Sequence, residues 1–119
     1  MVIFIVQDSG QDFTNLLKIS ENIVTIAQRD HPLFGDASEH IEKIRSALDH
    51  FDVENDAIVP SGDPINISIV SSILSKKKGG ENGVLFYKWN RQTSMYVPVR
   101  VRLNGSNPVD KPETKINNE

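Results

Sequence analysis

The stretch from residue 57 to residue 89 constrains the fold most. Ala57 to Pro60 reads as a short apolar strand, and Ser61-Gly62-Asp63-Pro64 starts a helix, with Asp63 as N-cap and Pro64 at the first helical position. The body, INISIVSSILSKKK, turns Ile65, Ile69 and Ile73, and also Ile67, Val70 and Leu74, inward as an apolar arc wide enough to lie across a sheet. Lys76, Lys77 and Lys78 suit its C-terminal dipole, Gly79-Gly80 ends it, and Val84 to Trp89 is again a strand. A strand, a capped helix and a strand in that order make a crossover unit of a parallel sheet.

The remaining segments extend this pattern. Val2 to Val6 is a continuous, mostly β-branched apolar run that stops at QDSGQD, so it is a buried strand ending in a loop. Phe13 to Ile19 suits a short helix, and Asn22 to Ala27 a second strand. The residues after it, with His31-Pro32 and Phe34-Gly35-Asp36, cannot hold a regular element. Asp36 and Glu39 form a capping box ahead of Ile41, Ile44, Leu48 and Phe51, which recur at helical spacing. Met95 to Leu103 alternates: Met95, Val97, Val99, Val101 and Leu103 are expected on a core face, and Tyr96, Pro98, Arg100 and Arg102 in water. Pro98 cannot donate to a ladder, which puts it at an edge or a bulge. The fold expected is therefore α/β, a single small domain over 1–103 whose mostly parallel sheet has crossover helices and a C-terminal antiparallel β-hairpin at its edge. The polar 104–119 tail lacks any apolar period and is expected to be disordered.

A chain of 119 residues with 38% hydrophobic content suits one domain with a real core, and no apolar run reaches the eighteen or so residues of a membrane span. Met1 opens into VIFIV without the regions of a signal peptide, so a soluble, cytoplasmic protein is expected. Zero cysteines exclude disulfides, thiol catalysis and thiolate zinc sites. The net charge of −3 hides a segregation: residues 1–75 carry four Lys/Arg against twelve Asp/Glu, and residues 76–102 carry seven against one. Such asymmetry can steer a charged partner or simply be solvated surface.

Two surfaces offer chemistry. Open α/β sheets place ligands at the carboxyl ends of their strands, where Gln7, Asp8, Ser9 and Gly10 would face Ser61, Gly62 and Asp63. The helix N-terminus there suits an anion or a nucleotide phosphate, but the Asp63 carboxylate competes for the same N–H groups, and the capping reading is favoured. Asp8 and Asp63 could converge on Mg²⁺ with Asp12 nearby, yet no third motif or general base at recognisable spacing accompanies them. The second surface is the hairpin, where Tyr87, Lys88, Trp89, Arg91, Tyr96, Arg100 and Arg102 gather aromatic and basic groups. This suits single-stranded nucleic acid, or a protein interface with pairing at an edge strand. Partner or self-association ranks above nucleic acid, because Leu85, Tyr87 and Trp89 share one strand face and Val84, Phe86 and Lys88 the other, which sends some aromatics into the core.

Other patterns carry less. KKKGGENG, at 76–83, has its glycines after the lysines and follows a helix, the reverse of a phosphate loop, and is a basic connector. His31, His40 and His50 lack metal-ligand spacing and are expected on the surface. No GxSxG, GxGxxG or kinase set occurs.

Gly62-Asp63-Pro64, Lys88-Trp89-Asn90-Arg91 and Tyr96-Val97-Pro98-Val99, with the apolar helix between the first two, make the segment 56–103 resemble a group of small phage- or prophage-encoded proteins of uncharacterised function. That group has a GDP turn and a strand ending in Lys-Trp-Asp-Arg before Tyr-x-Pro-Val; Asn90 stands here in place of the Asp. The resemblance implies a viral accessory protein acting on host or phage macromolecules, in the cytoplasm of a bacterial host, and implies no activity.

The expectation is thus a non-enzymatic accessory protein without cofactor, metal or catalytic residues, which binds a macromolecular partner through the hairpin. Nucleotide or other anionic-ligand binding at the strand-end crevice is the alternative, and single-stranded nucleic-acid binding the second alternative.

Overall fold

In the computed structural model, which describes residues 1–28, 35–77, 79 and 81–103, five strands form one sheet in the order β2-β1-β3-β4-β5. These are β1 (Val2–Gln7), β2 (Asn22–Ala27), β3 (Ala57–Val59), β4 (Val84–Asn90) and β5 (Met95–Val101). β1 runs parallel to β2 and β3, β3 parallel to β4, and β5 returns antiparallel along β4. The α/β reading and the edge hairpin therefore hold. Residues 29–34, expected to form an irregular segment with His31, and residues 104–119, expected to be disordered, lie outside the described residues, as do Lys78 and Gly80.

Helix α1 (Ser38–Ala47) carries the chain from β2 to β3, and α2 (Pro64–Leu74) from β3 to β4. One core lies between these helices and the sheet, where Ile44, Leu48, Val70 and Leu74 meet Phe4, Ile58, Val84 and Phe86. The Phe4 ring meets Phe51 edge-on there, with centroids 5.2 Å apart. The opposite side is covered differently, by a short 3-10 helix (Thr14–Lys18) whose Leu16 seals Ile3, Ile5, Ala57, Val59, Leu85 and Tyr96. Two three-turn helices thus protect one face of the sheet and a five-residue element the other.

Asp63 caps α2 as expected, its Oδ1 accepting from the Ile65 N–H at 2.8 Å with Pro64 at the start of the helix. The capping box at α1 is corrected. Ala37 holds the N-cap position, and the Asp36 carboxylate accepts from both the backbone N–H and the hydroxyl of Ser38, 2.9 and 2.6 Å away, one position too early to reach the helix interior. These bonds pull Asp36 below the usual carboxylate range. α2 ends at Leu74, so Lys76 and Lys77 follow the helix and do not belong to it. Its apolar arc holds but for one residue: Val70 and Leu74 are buried and Ile67, Ile69 and Ile73 pack partly buried against the same core, while Ile65, in the first turn, is 53% exposed.

The alternation of β5 is corrected as well. Tyr96, expected in water, is 8% exposed, and Met95, expected in the core, is 59% exposed. Residues paired across β4 and β5 share a face, so Tyr96 joins Trp89 on the side of the 3-10 helix. Val99 and Val101 lie on the α-helical side, but at the sheet's edge, where both stay largely exposed.

Candidate functional site

The strand-end crevice is built and filled by one side chain. β1 and β3 are neighbours, so Gln7 comes beside Ser61, whose hydroxyl donates to the Gln7 carbonyl at 2.7 Å. Gln7 Oε1 accepts from the Asp63 N–H at 2.7 Å and from Asn66 Nδ2 at 3.0 Å, while Gln7 Nε2 donates to the Gln28 carbonyl at 3.0 Å. With its amide nitrogen given to Gln7, Asn66 accepts through Oδ1 from His40 Nε2, 2.7 Å away. His40 is accordingly half-buried at the start of α1 and not a surface residue; His50 is exposed. Gly62 has φ +93°, and a Cβ there would run into the Gln7 side chain. The β1–β3 junction thus links the first turns of both helices through a buried polar chain, with each strong group paired.

The other crevice residues remain outside that chain. Asp8 Oδ1 accepts from the Gly10 N–H at 2.9 Å, closing a turn, and Ser9 is exposed. Asp12 accepts from the Thr14 N–H and hydroxyl at 2.9 and 2.7 Å, which lowers its pKa from 3.8. Among the described residues, no three of His, Asp or Glu gather as a metal site needs.

On the hairpin, strand pairing decides which groups act together. Proline has no N–H, so the Tyr87–Pro98 pair makes no hydrogen bond of its own, and the nitrogen of Pro98 faces outward. Trp89–Tyr96, two residues along, is a pair of the same kind, with side chains close together; the rings meet edge-on with centroids 5.0 Å apart. Trp89 is 37% exposed on that buried partner. Burial, with a smaller contribution from the Asp12 charge, raises the phenol of Tyr96 above 10.0.

Tyr87, Trp89, Tyr96 and Arg100 share the 3-10 side, with Arg102 just past the end of β5. Arg100 Nη1 donates to the Gly83 carbonyl at 3.4 Å, and Arg102 Nε to the Glu81 carbonyl at 2.9 Å, so backbone carbonyls steady both guanidinium groups. Lys88 pairs with Val97 on the opposite face, and Arg91 stands in the exposed turn between the strands. Beside Tyr96, a recess of about 210 Å³ is lined by Asn15, Lys18, Ile19, Ser94 and Met95. Leu17 and Ile19 of the adjoining 3-10 segment are exposed. Sequence reading missed this contribution, whose only signal was an apolar excess in FTNLLKI, more than one short helix can bury.

No helix among the described residues is long and apolar enough to cross a membrane. Comparison with curated proteins finds no match, and neither does comparison with solved structures. A family model does match, over residues 2–103, which is the whole described fold and contains both the Gly62-Asp63-Pro64 turn and the hairpin. The chain belongs to the phage Pam3 gp32-like protein family.

Proposed function

We propose that this phage accessory protein is a non-enzymatic binding module that engages a macromolecular partner, in the host cytoplasm, through the 3-10 side of its hairpin. The observation that carries this reading is Trp89. The chain's single tryptophan is held partly open on a buried tyrosine, and that tyrosine lines a small recess together with the exposed Ile19. Aromatic anchors beside cations and a recess are the usual centre of a protein interface. Arg100, Arg102, Arg91 and Lys18 supply the cationic rim.

A protein partner is favoured over nucleic acid because Arg100 and Arg102 are already steadied by backbone carbonyls and Asp12 adds negative charge beside Tyr96. Pairing along the free edge of β5 has less support, since Pro98 interrupts the outward row of donors at its middle. Anion binding at the strand ends has less support too, because the Asp63 carboxylate and the Gln7 amide already accept from the N–H groups that would hold a phosphate.

Native mass spectrometry of the untagged protein, purified gently from a lysate of phage-infected bacteria, tests this reading. Expected is a stoichiometric complex with a protein, or a homo-oligomer, that Trp89→Ala disperses. A retained nucleotide or metal ion would replace it with the strand-end reading.

A further inference from the structure

Between the parallel helices α1 and α2, on the side of the sheet away from the hairpin aromatics, runs an open groove of about 550 Å³. Its floor is apolar, formed by Ile41 of α1, Leu48 directly after α1, and Ile69 and Ile73 of α2. The eleven residues of α2, PINISIVSSIL, include no charged side chain and six large aliphatic ones, more than a single buried stripe covers. The sheet takes the stripe of Asn66, Val70 and Leu74, whereas Ile65 is left in solvent beside the groove and the hydroxyls of Ser68 and Ser72 line it.

Arg45 lies in the last turn of α1, and Lys76 and Lys77 directly follow α2, so three cations gather at the end of the groove where both helices finish. Glu42 pairs with Arg45, and Asp49 is the acid on the rim, while among the described residues no ion pair engages Lys76 or Lys77. The rim is cationic although the rest of the chain up to Ser75 is strongly acidic.

From these three features we infer that the groove receives an amphipathic helix of a partner protein, with acidic residues in its first turn, lying antiparallel to α1 and α2. In that orientation the partner's Asp or Glu side chains meet Lys76 and Lys77, beside the Arg45 that Glu42 already engages. Its positive helix end faces the negative ends of α1 and α2, so charge and dipole select the same direction. The small side chains of Ser68 and Ser72, one turn apart, let the incoming backbone approach closely, and its apolar stripe covers Ile65, Ile69 and Ile73. Each helix here spans about 15 Å, so roughly three turns of the partner suffice. This surface is independent of the hairpin.

The test uses two designed peptides, one with a leucine stripe at helical spacing and glutamates in its first turn, the other with the same composition and lysines there. Titration of the full chain is followed by amide chemical shifts. The glutamate-first peptide is expected to shift Ile65, Ser68, Ser72 and Lys76 and to bind more tightly than its reverse. Lys76→Glu with Lys77→Glu should weaken it roughly five- to tenfold, as two surface charge pairs imply. The exposed substitution Ile65→Glu should weaken it further, and Trp89→Ala should leave it unchanged. Equal binding of both peptides, shifts confined to the hairpin, or insensitivity to the lysine and Ile65 variants overturns the inference. So does a homodimer that Ile65→Glu dissociates, since the groove's occupant is then a second copy.

Discussion

Trp89 and Tyr96 face each other across the β4–β5 hairpin with ring centroids 5.0 Å apart and planes inclined by 67°. The tyrosine is the buried member and the tryptophan the open one. Trp89→Ala removes that edge contact and the covered part of a ring that is 37% exposed, and should destabilise the fold by about 2 to 3 kcal/mol. Urea denaturation checks this; a loss of about 4 kcal/mol or more would mark Trp89 as a core residue instead.

Asn66 is fully buried on α2, between Gln7 and His40. Asn66→Ala leaves an acceptor on Gln7 without one of its donors and removes the amide oxygen that His40 Nε2 meets. We expect a destabilisation of about 1 to 3 kcal/mol, measured by the shift in denaturation midpoint. A neutral result would show that water replaces the amide.

Gly62 turns the chain between β3 and α2 with φ +93°, against Gln7. Gly62→Ala combines an unfavourable backbone conformation with a collision at Gln7. It should destabilise the protein by about 2 kcal/mol or more, with the buried polar chain displaced. Gly35, φ +70° with open space around it, is the control: Gly35→Ala meets the conformational penalty alone and should be milder.

Asp12, Asp36 and Asp52 all titrate below 3.8, each because neighbouring side-chain and backbone groups donate to the ionised carboxylate. A lowered folded-state pKa contributes stability that is present above the unfolded value and lost as pH falls through the folded one. Thermal stability should therefore decline as pH drops from about 4 toward 2, in the range set by unfolded carboxylates. Asp52→Ala should flatten that decline, and an unchanged slope would contradict the assignment. Tyr96 behaves in the opposite sense. Its raised pKa favours the neutral folded state, so its contribution is complete below the unfolded value and disappears as pH rises through the folded one.

Much of this architecture could be read from residues because each local signal agreed with the global fold. The Asp63-Pro64 start, the apolar run of β1 and the proline of the last strand each have one physical meaning, and each reappears in place. The alternation in β5 was legible too, but not its sense. Which side of an edge strand is covered depends on how far the helices reach across the sheet, and two helices over five strands leave Met95, Val99 and Val101 outside. The Gln7–Asn66–His40 chain was hidden for a related reason: its members lie up to 59 positions apart and meet only once β1, β3 and both helices are packed. The hairpin aromatics could be named from their positions, whereas the participation of Leu17 and Ile19 required knowing that the 3-10 helix covers their side of the sheet.

The central claim, that the hairpin captures a partner, is tested most directly by comparing the wild type with Trp89→Ala/Arg91→Ala in quantitative affinity capture from infected cells. The two proteins should be matched for fold by circular dichroism and denaturation midpoint. The account predicts a stoichiometric partner on the wild type and its loss from the folded double variant. Undiminished capture by the variant would contradict it and remove the hairpin as the binding surface.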